Sequence, residues 1–157
     1  MKVIIAGTGH RPDKLGGYSE QVLRKLINTI KPNLLGADQV ISGMALGYDT
    51  ALAIAALELD INLLCAVPFL GQESKWPKES QERYKEILQE AHTVIYVGEP
   101  GYAVWKMQTR NEWMVDHCTK LLCLWNGSNG GTANCIRYAL AKNVKIENIW
   151  DQYEAFN

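Results

Sequence analysis

Three short apolar runs in this chain each end in a stretch of glycine and other small residues. Lys2–Ala6 runs into Gly7-Thr8-Gly9-His10-Arg11-Pro12, Gln39–Ile41 into Ser42-Gly43-Met44-Ala45-Leu46-Gly47-Tyr48-Asp49, and Leu121–Trp125 into Asn126-Gly127-Ser128-Asn129-Gly130-Gly131-Thr132. Each small-residue stretch is followed by apolar residues at helical spacing. A short run that is apolar on both alternating faces is a strand covered on both sides, and such strands belong to parallel sheets flanked by helices. The alternation therefore restricts the chain to an α/β fold. It also brings the three glycine-rich loops together at the carboxyl edge of the sheet, where folds of this kind bind ligands.

The remaining segments fit the same scheme. Tyr18–Ile30 has Val22, Leu23, Leu26, Ile27 and Ile30 on one helical face, with Ser19 as N-cap and Pro32 as a stop. Thr50–Leu59 is alanine-rich and apolar nearly all round, so it reads as a buried helix. Ile61–Val67 and Thr93–Val97 read as strands, and Lys78–Glu90 as an amphipathic helix with Tyr84, Ile87 and Leu88 inward. Val104–Thr119 and Ala133–Lys142 read as helices, Pro68–Pro77 as irregular, and Val144–Trp150 as an edge strand before a polar tail. The expectation is one Rossmann-like, three-layer α/β domain over residues 1–157 with a mainly parallel sheet.

Charge and cysteine usage narrow the function classes. A formal net charge of −1 carries no basic surplus for gripping a nucleic-acid duplex. No apolar run is long enough to span a bilayer. The chain enters a strand at once, so a cytoplasmic protein is expected, with no membrane partner. Cys65, Cys118, Cys123 and Cys135 form no CxxC pair, and His10, His92 and His117 complete no zinc spacing. The thiols are expected to be free and buried, with no metal and no cofactor.

The candidate site residues lie in the three loops and on one helix. Gly7 and Gly9 allow close backbone approach to a ligand, with Thr8, His10 and Arg11 beside them, but the third glycine of the dinucleotide fingerprint is missing. Ser42, Gly43, Gly47 and Asp49 form the second loop, where Asp49 either caps the next helix or bonds a ribose hydroxyl. Arg110, Met114 and His117 share a helical face. An arginine in such a stripe needs an anionic partner, and a ligand phosphate is the expectation. Asn126, Gly127, Asn129, Gly130, Gly131 and Thr132 form strand-to-helix loop chemistry suited to a phosphate, with free N–H groups at the helix start. The loop lacks the Lys-Ser/Thr of a P-loop, and Ser128 is not framed as a nucleophile elbow. No catalytic residue is assigned. Trp76 either stacks a base or closes the core, and Trp105, Trp113 and Trp150 are candidates for an interface between copies.

Taken together these residues resemble a known superfamily. Ser42-Gly43-Met44-Ala45-Leu46-Gly47-Tyr48-Asp49 is similar to the SGxAxGxD motif of the DNA-processing protein DprA. Met107-Gln108-Thr109-Arg110 and Gly130-Gly131-Thr132 resemble the MxxRK and GGxGT motifs of LOG, a phosphoribohydrolase. Both belong to the SLOG superfamily of nucleotide-binding, Rossmann-like domains. The whole pattern resembles its small stand-alone YpsA/YoqJ-type members, found in Gram-positive bacteria and their prophages.

The resemblance implies a pocket carried by Arg110, Gly130, Gly131 and Thr132. The LOG-type glutamate is absent: Asn134 and Cys135 stand where it would fall, and Asn111 replaces the lysine after the arginine. Asp49, Glu112 and Asp116 are the carboxylates available as substitutes. The implied function is binding, by sensing or sequestering, of a small nucleotide-derived ligand such as an ADP-ribose-like or cyclic nucleotide signal. The setting implied is phage or bacterial defence, and the partner set includes further copies of the chain. LOG-like phosphoribohydrolase activity and DprA-like single-strand binding are the alternatives.

Overall fold

A computed structural model describes residues 1–156, and in it the apolar runs become strands. These are β1 (Ile4–Gly9), β2 (Gln39–Ser42), β3 (Asn62–Val67), β4 (Thr93–Tyr96), β5 (Lys120–Leu124) and β6 (Lys145–Asn148). All pair in parallel, in the order β4-β3-β2-β1-β5-β6. Alternate strand residues feed two cores. Ile5, Val40, Leu63 and Leu122 pack under α1 (Glu20–Ile30), α2 (Tyr48–Glu58), α3 (Lys78–Glu90) and α6 (Trp150–Ala155). Ala6, Ile41, Leu64 and Leu121 pack under α4 (Val104–Asp116) and α5 (Gly131–Ala141). The result is the three-layer Rossmann-like architecture.

The strand order locates the site. The chain winds from β1 outward to β4, then returns to lay β5 on the other side of β1. The connections leaving β1 and β5 therefore depart to opposite faces, and a crevice opens between them at their carboxyl ends.

Several boundaries differ from the sequence expectation, each for a tertiary reason. β1 is Ile4–Gly9 rather than Lys2–Ala6, so Gly7-Thr8-Gly9 is strand, paired Gly7 to Leu122 and Gly9 to Leu124. The space above these glycines is filled by the protein itself. A Cβ on Gly9 would lie 2.4 Å from Tyr48 Cγ, and one on Gly7 would lie 2.4 Å from Leu52 Cδ2. Tyr48 is fully buried, and its hydroxyl donates to the Leu122 carbonyl at 2.8 Å. The close approach these glycines permit is thus that of α2 to β1.

α2 begins at Tyr48, because Gly47 (φ 84°) is its N-cap, and Asp49 consequently lies in the first turn rather than at the cap. α4 ends at Asp116 instead of Thr119, since the chain must turn to let the Thr119 N–H reach the Ile4 carbonyl at 2.8 Å. His117 leaves the stripe it shares on paper with Arg110 and Met114. It is exposed and stacks on Trp113 at 4.0 Å. β6 stops at Asn148, so Trp150, expected in the edge strand, instead opens α6 in the polar tail, where it meets His10 edge-on at 5.7 Å and Tyr153 is buried. Trp150 thereby belongs to the chain's own packing. No described helix is long and apolar enough to cross a membrane.

Candidate ligand-binding site

The crevice between β1 and β5 holds a basin of about 240 Å³. Of the residues singled out from the sequence, Thr8, Gly9, His10, Arg11, Asp49, Arg110, Asn129, Gly130, Gly131 and Thr132 line it. Gly7, Ser42, Gly43, Gly47, Asn126 and Gly127 do not line it; they shape what does. Ala45, Met107, Asn111 and Ser128, which stand inside or next to the quoted motifs without a site role of their own, also line it, as do Asp13 and Lys14. Asp13 and Lys14 sit in a short 3-10 turn whose residues carry no motif, so no local signal marked them.

Side-chain hydrogen bonds build the loop after β5. Asn126 Oδ1 accepts the Ser128 N–H at 3.0 Å and its hydroxyl at 2.6 Å. The Trp125 indole donates to the Ser128 carbonyl at 2.7 Å, and Lys14 Nζ donates to Ser128 Oγ at 2.8 Å. Asn148 brackets Trp125 from the neighbouring strand, accepting its N–H at 3.1 Å and donating to its carbonyl at 2.9 Å. Gly130 (φ 143°) then starts α5 with no side-chain cap, leaving the first-turn N–H groups for the basin.

The glycines fall into two groups. A Cβ on Gly43 would lie 2.6 Å from Arg110 Nη1, and one on Gly47 would lie 2.7 Å from the His10 carbonyl oxygen. Like Gly7 and Gly9, these make room for protein atoms. A Cβ on Gly127, Gly130 or Gly131 would meet nothing within 4 Å. Positive φ explains Gly127 and Gly130, but Gly131 has neither a crowded Cβ position nor a left-handed backbone. Its missing side chain leaves open space over the start of α5.

His10 holds the two sides of the crevice together. The Asn126 N–H donates to His10 Nε2 at 2.9 Å, which requires that nitrogen unprotonated. Burial pushes the imidazole below its ordinary 6.5, and the Lys14 ammonium pushes the same way. A pKa lowered on folding gives stability that is complete above the unfolded value and is lost as pH falls through the folded one. The melting temperature is expected to drop as pH is lowered from 7 towards 5. His10→Gln, whose amide oxygen can accept from Asn126, should flatten that drop relative to wild type. An unchanged pH profile in the variant would show that His10 does not couple to folding.

Arg110 is 3% exposed. Its guanidinium donates to Asn111 Oδ1 at 2.9 Å, to the Gly43 carbonyl, and to the Ala66 carbonyl at 3.4 Å. Among the described residues it has no carboxylate within salt-bridge distance. Asp49, the buried carboxylate nearest in charge, turns instead to the Ala45 N–H at 3.3 Å, and burial raises its pKa. Ser42 completes this turn by donating to the Asp49 carbonyl at 2.8 Å and accepting the Met44 N–H at 3.1 Å. A buried guanidinium therefore borders the basin with its direct hydrogen bonds made only to neutral oxygens, while the Asp49 charge acts on it from beyond salt-bridge distance.

Of the three substitute carboxylates, Asp49 lines the basin and the other two do not. Glu112 accepts from Gln108 at 3.1 Å, and Asp116 accepts from the Tyr138 hydroxyl at 2.9 and 3.1 Å. Asn134 is exposed and bonds Arg137, while Cys135 is fully buried with its thiol pushed up to about 12. A thiol so placed does not ionise to serve as a base or nucleophile near neutral pH.

Comparison with known proteins gives a consistent picture. A family model described as the YspA SLOG family (YpsA) matches residues 5–153. The SPbeta prophage-derived protein YoqJ of Bacillus subtilis is 33% identical over 133 residues, covering 74% of this chain and 77% of that protein. Among solved structures, DprA from Streptococcus pneumoniae superimposes with a TM-score of 0.70 at 18% identity, over 98% of this chain and 54% of DprA. The chain thus spans about half of that protein. The Chlamydomonas Moco carrier protein superimposes with a TM-score of 0.60 at 17% identity, over 96% of this chain and 77% of the carrier.

Proposed function

The chain belongs to the YspA SLOG family (YpsA), and on that premise we propose that its β1–β5 basin binds a small phosphorylated, nucleotide-derived ligand without cleaving it. The observation that carries this reading is Arg110: a buried cation with no carboxylate within salt-bridge distance among the described residues, bordering a basin that also receives the uncapped start of α5. A phosphate at this position gains both a charge-assisted hydrogen bond and the helix N–H groups. The open Cβ position of Gly131 supports close approach of such a group. An ADP-ribose-like or cyclic nucleotide signal fits this chemistry. Kinship with a prophage-derived protein supports a role as sensor or sponge of such a signal. Val104 and Trp105, 70% and 65% exposed at the start of α4, are the surface through which copies would associate.

Binding without turnover is supported by what stands at the LOG-type glutamate's position, an exposed Asn134 bonded to Arg137 and the buried thiol of Cys135. Glycoside cleavage passes through a cationic sugar and calls for an available carboxylate. The test is calorimetry with AMP, ADP-ribose and ribose 5-phosphate, followed by chromatography of the recovered ligand. Intact ligand is expected. Free base that disappears in an Arg110 variant would convert the site into that of a phosphoribohydrolase. Single-stranded oligonucleotide that binds at low salt and displaces AMP would favour the DNA-binding reading that the DprA fold invites.

Gly131→Ala separates folding from binding. Alanine favours helix over glycine by up to about 1 kcal/mol, so the free protein should melt no lower than wild type. AMP affinity should fall about tenfold, or ~1.4 kcal/mol, as the methyl enters the space over the α5 N–H groups. Unchanged affinity would place the phosphate elsewhere.

A further inference from the structure

Past Arg11 and Met107 the basin continues into a second hollow of about 350 Å³, walled by Phe69, Gln72, Trp76 and Tyr102. A third hollow, about 420 Å³, adjoins both and is again bordered by Arg11 and Trp76. Arg11 is the residue common to all three. Its side chain is exposed and forms no ion pair among the described residues.

The aromatic walls are braced from within. Tyr102, 72% exposed, meets the buried Phe69 ring edge-on at 5.9 Å. Trp76, half-buried, meets the buried Tyr84 ring edge-on at 5.2 Å. The loop that carries Trp76 is held in place. Gln81 donates to the Trp76 carbonyl at 2.9 Å, and Gln72 donates to the Gly43 and Met44 carbonyls at 3.3 Å. The Gly43 carbonyl is also the acceptor for Arg110. One backbone carbonyl therefore ties the aromatic loop to the buried cation.

We infer that the aromatic hollow is a ring-binding subsite, so that the ligand is a nucleoside phosphate whose heterocycle lies against Trp76 and Tyr102. Its phosphate lies at Arg110 and the start of α5, and Arg11 bridges the two parts. The inference rests on the proposed nucleotide-binding reading and adds to it the place of the heterocycle and the side chains that hold it. Tyr102 distinguishes this role from packing: a side chain so exposed contributes little to the core, yet it walls the hollow. Heterocycles stack on exposed aromatic faces with enough energy to register in affinity, and the stacking is tolerant of base identity.

Calorimetry with ribose 5-phosphate and AMP, which differ by the heterocycle, tests the subsite. Wild type is expected to bind AMP about tenfold or more tightly than ribose 5-phosphate. Tyr102→Ala and the conservative Trp76→Phe should narrow that ratio while leaving ribose 5-phosphate affinity in place. AMP should also quench tryptophan fluorescence in wild type and quench it less in Trp76→Phe. Equal affinity for the two probes, or a ratio untouched by both variants, would overturn the ring subsite and leave the phosphate site standing. Failure of both probes to bind wild type would remove the phosphate site and the inference with it.

Discussion

Arg110→Met is expected to lose AMP binding by about 100-fold while remaining folded. Methionine keeps most of the buried volume and removes the charge. A hydrogen bond to a charged group contributes about 1.5–3 kcal/mol, and the upper part of that range corresponds to a loss of about two orders of magnitude. The competing role of Arg110 is structural, because it joins the ends of β2 and β3 through the Gly43 and Ala66 carbonyls. Those carbonyls would lose a donor in the variant, at a cost of about 1–3 kcal/mol, partly offset by relief of a desolvated charge. Melting curves and calorimetry on the same preparation separate the two roles. A variant that melts lower yet binds AMP as wild type does would make Arg110 a strut alone. Gly43→Ala gives an independent check, since its Cβ would lie 2.7 Å from Arg110 Cζ and displace the guanidinium without removing it.

Gly9→Ala should be among the most destabilising single methyl groups that can be added to this chain. The new Cβ would sit 2.4 Å from Tyr48 Cγ and 2.6 Å from Tyr48 Cβ. These atoms are at the root of a fully buried side chain, so no rotamer change relieves the clash, and α2 would have to move off the sheet. Overpacking of this kind costs about 3 kcal/mol. For a domain of this size that is a fall of roughly 6–12 °C in melting temperature. Gly131→Ala is the matched control, the same added methyl with nothing within 4 Å. If both variants melt together, the account of Gly9 as room for Tyr48 is wrong.

The contrast between these two glycines shows how far the sequence could be read. Both occur in loops that look alike on paper, a strand followed by glycines and then a helix. The Gly130-Gly131-Thr132 stretch starts α5 within two residues of the expected Ala133, and Ser19 caps α1 as its spacing predicts, with Oγ accepting the Val22 N–H at 3.2 Å. Gly7 and Gly9 offer on paper a close backbone approach to a ligand; their Cβ positions face Leu52 and Tyr48, while Gly9 also borders the basin. His10, on paper a possible ligand contact, lines the basin but is 5% exposed, and its Nε2 accepts the Asn126 N–H. Asp13 and Lys14 reach the basin with no local pattern to announce them.

From sequence alone followed the α/β class, the helical and strand segments to within a few residues, and the gathering of three glycine-rich loops at one edge of a parallel sheet. Those features depend on hydrophobic period, turn chemistry and caps, which are written in residues next to one another in the chain. Tertiary structure alone decided that β5 lies beside β1, that no described carboxylate comes within salt-bridge distance of Arg110, that α6 packs Trp150 onto His10, and which glycines face protein and which face open space. Each of these is settled by atoms tens of residues away in the chain. Whether a missing side chain makes room for a tyrosine or for a ligand depends on what the fold brings opposite it.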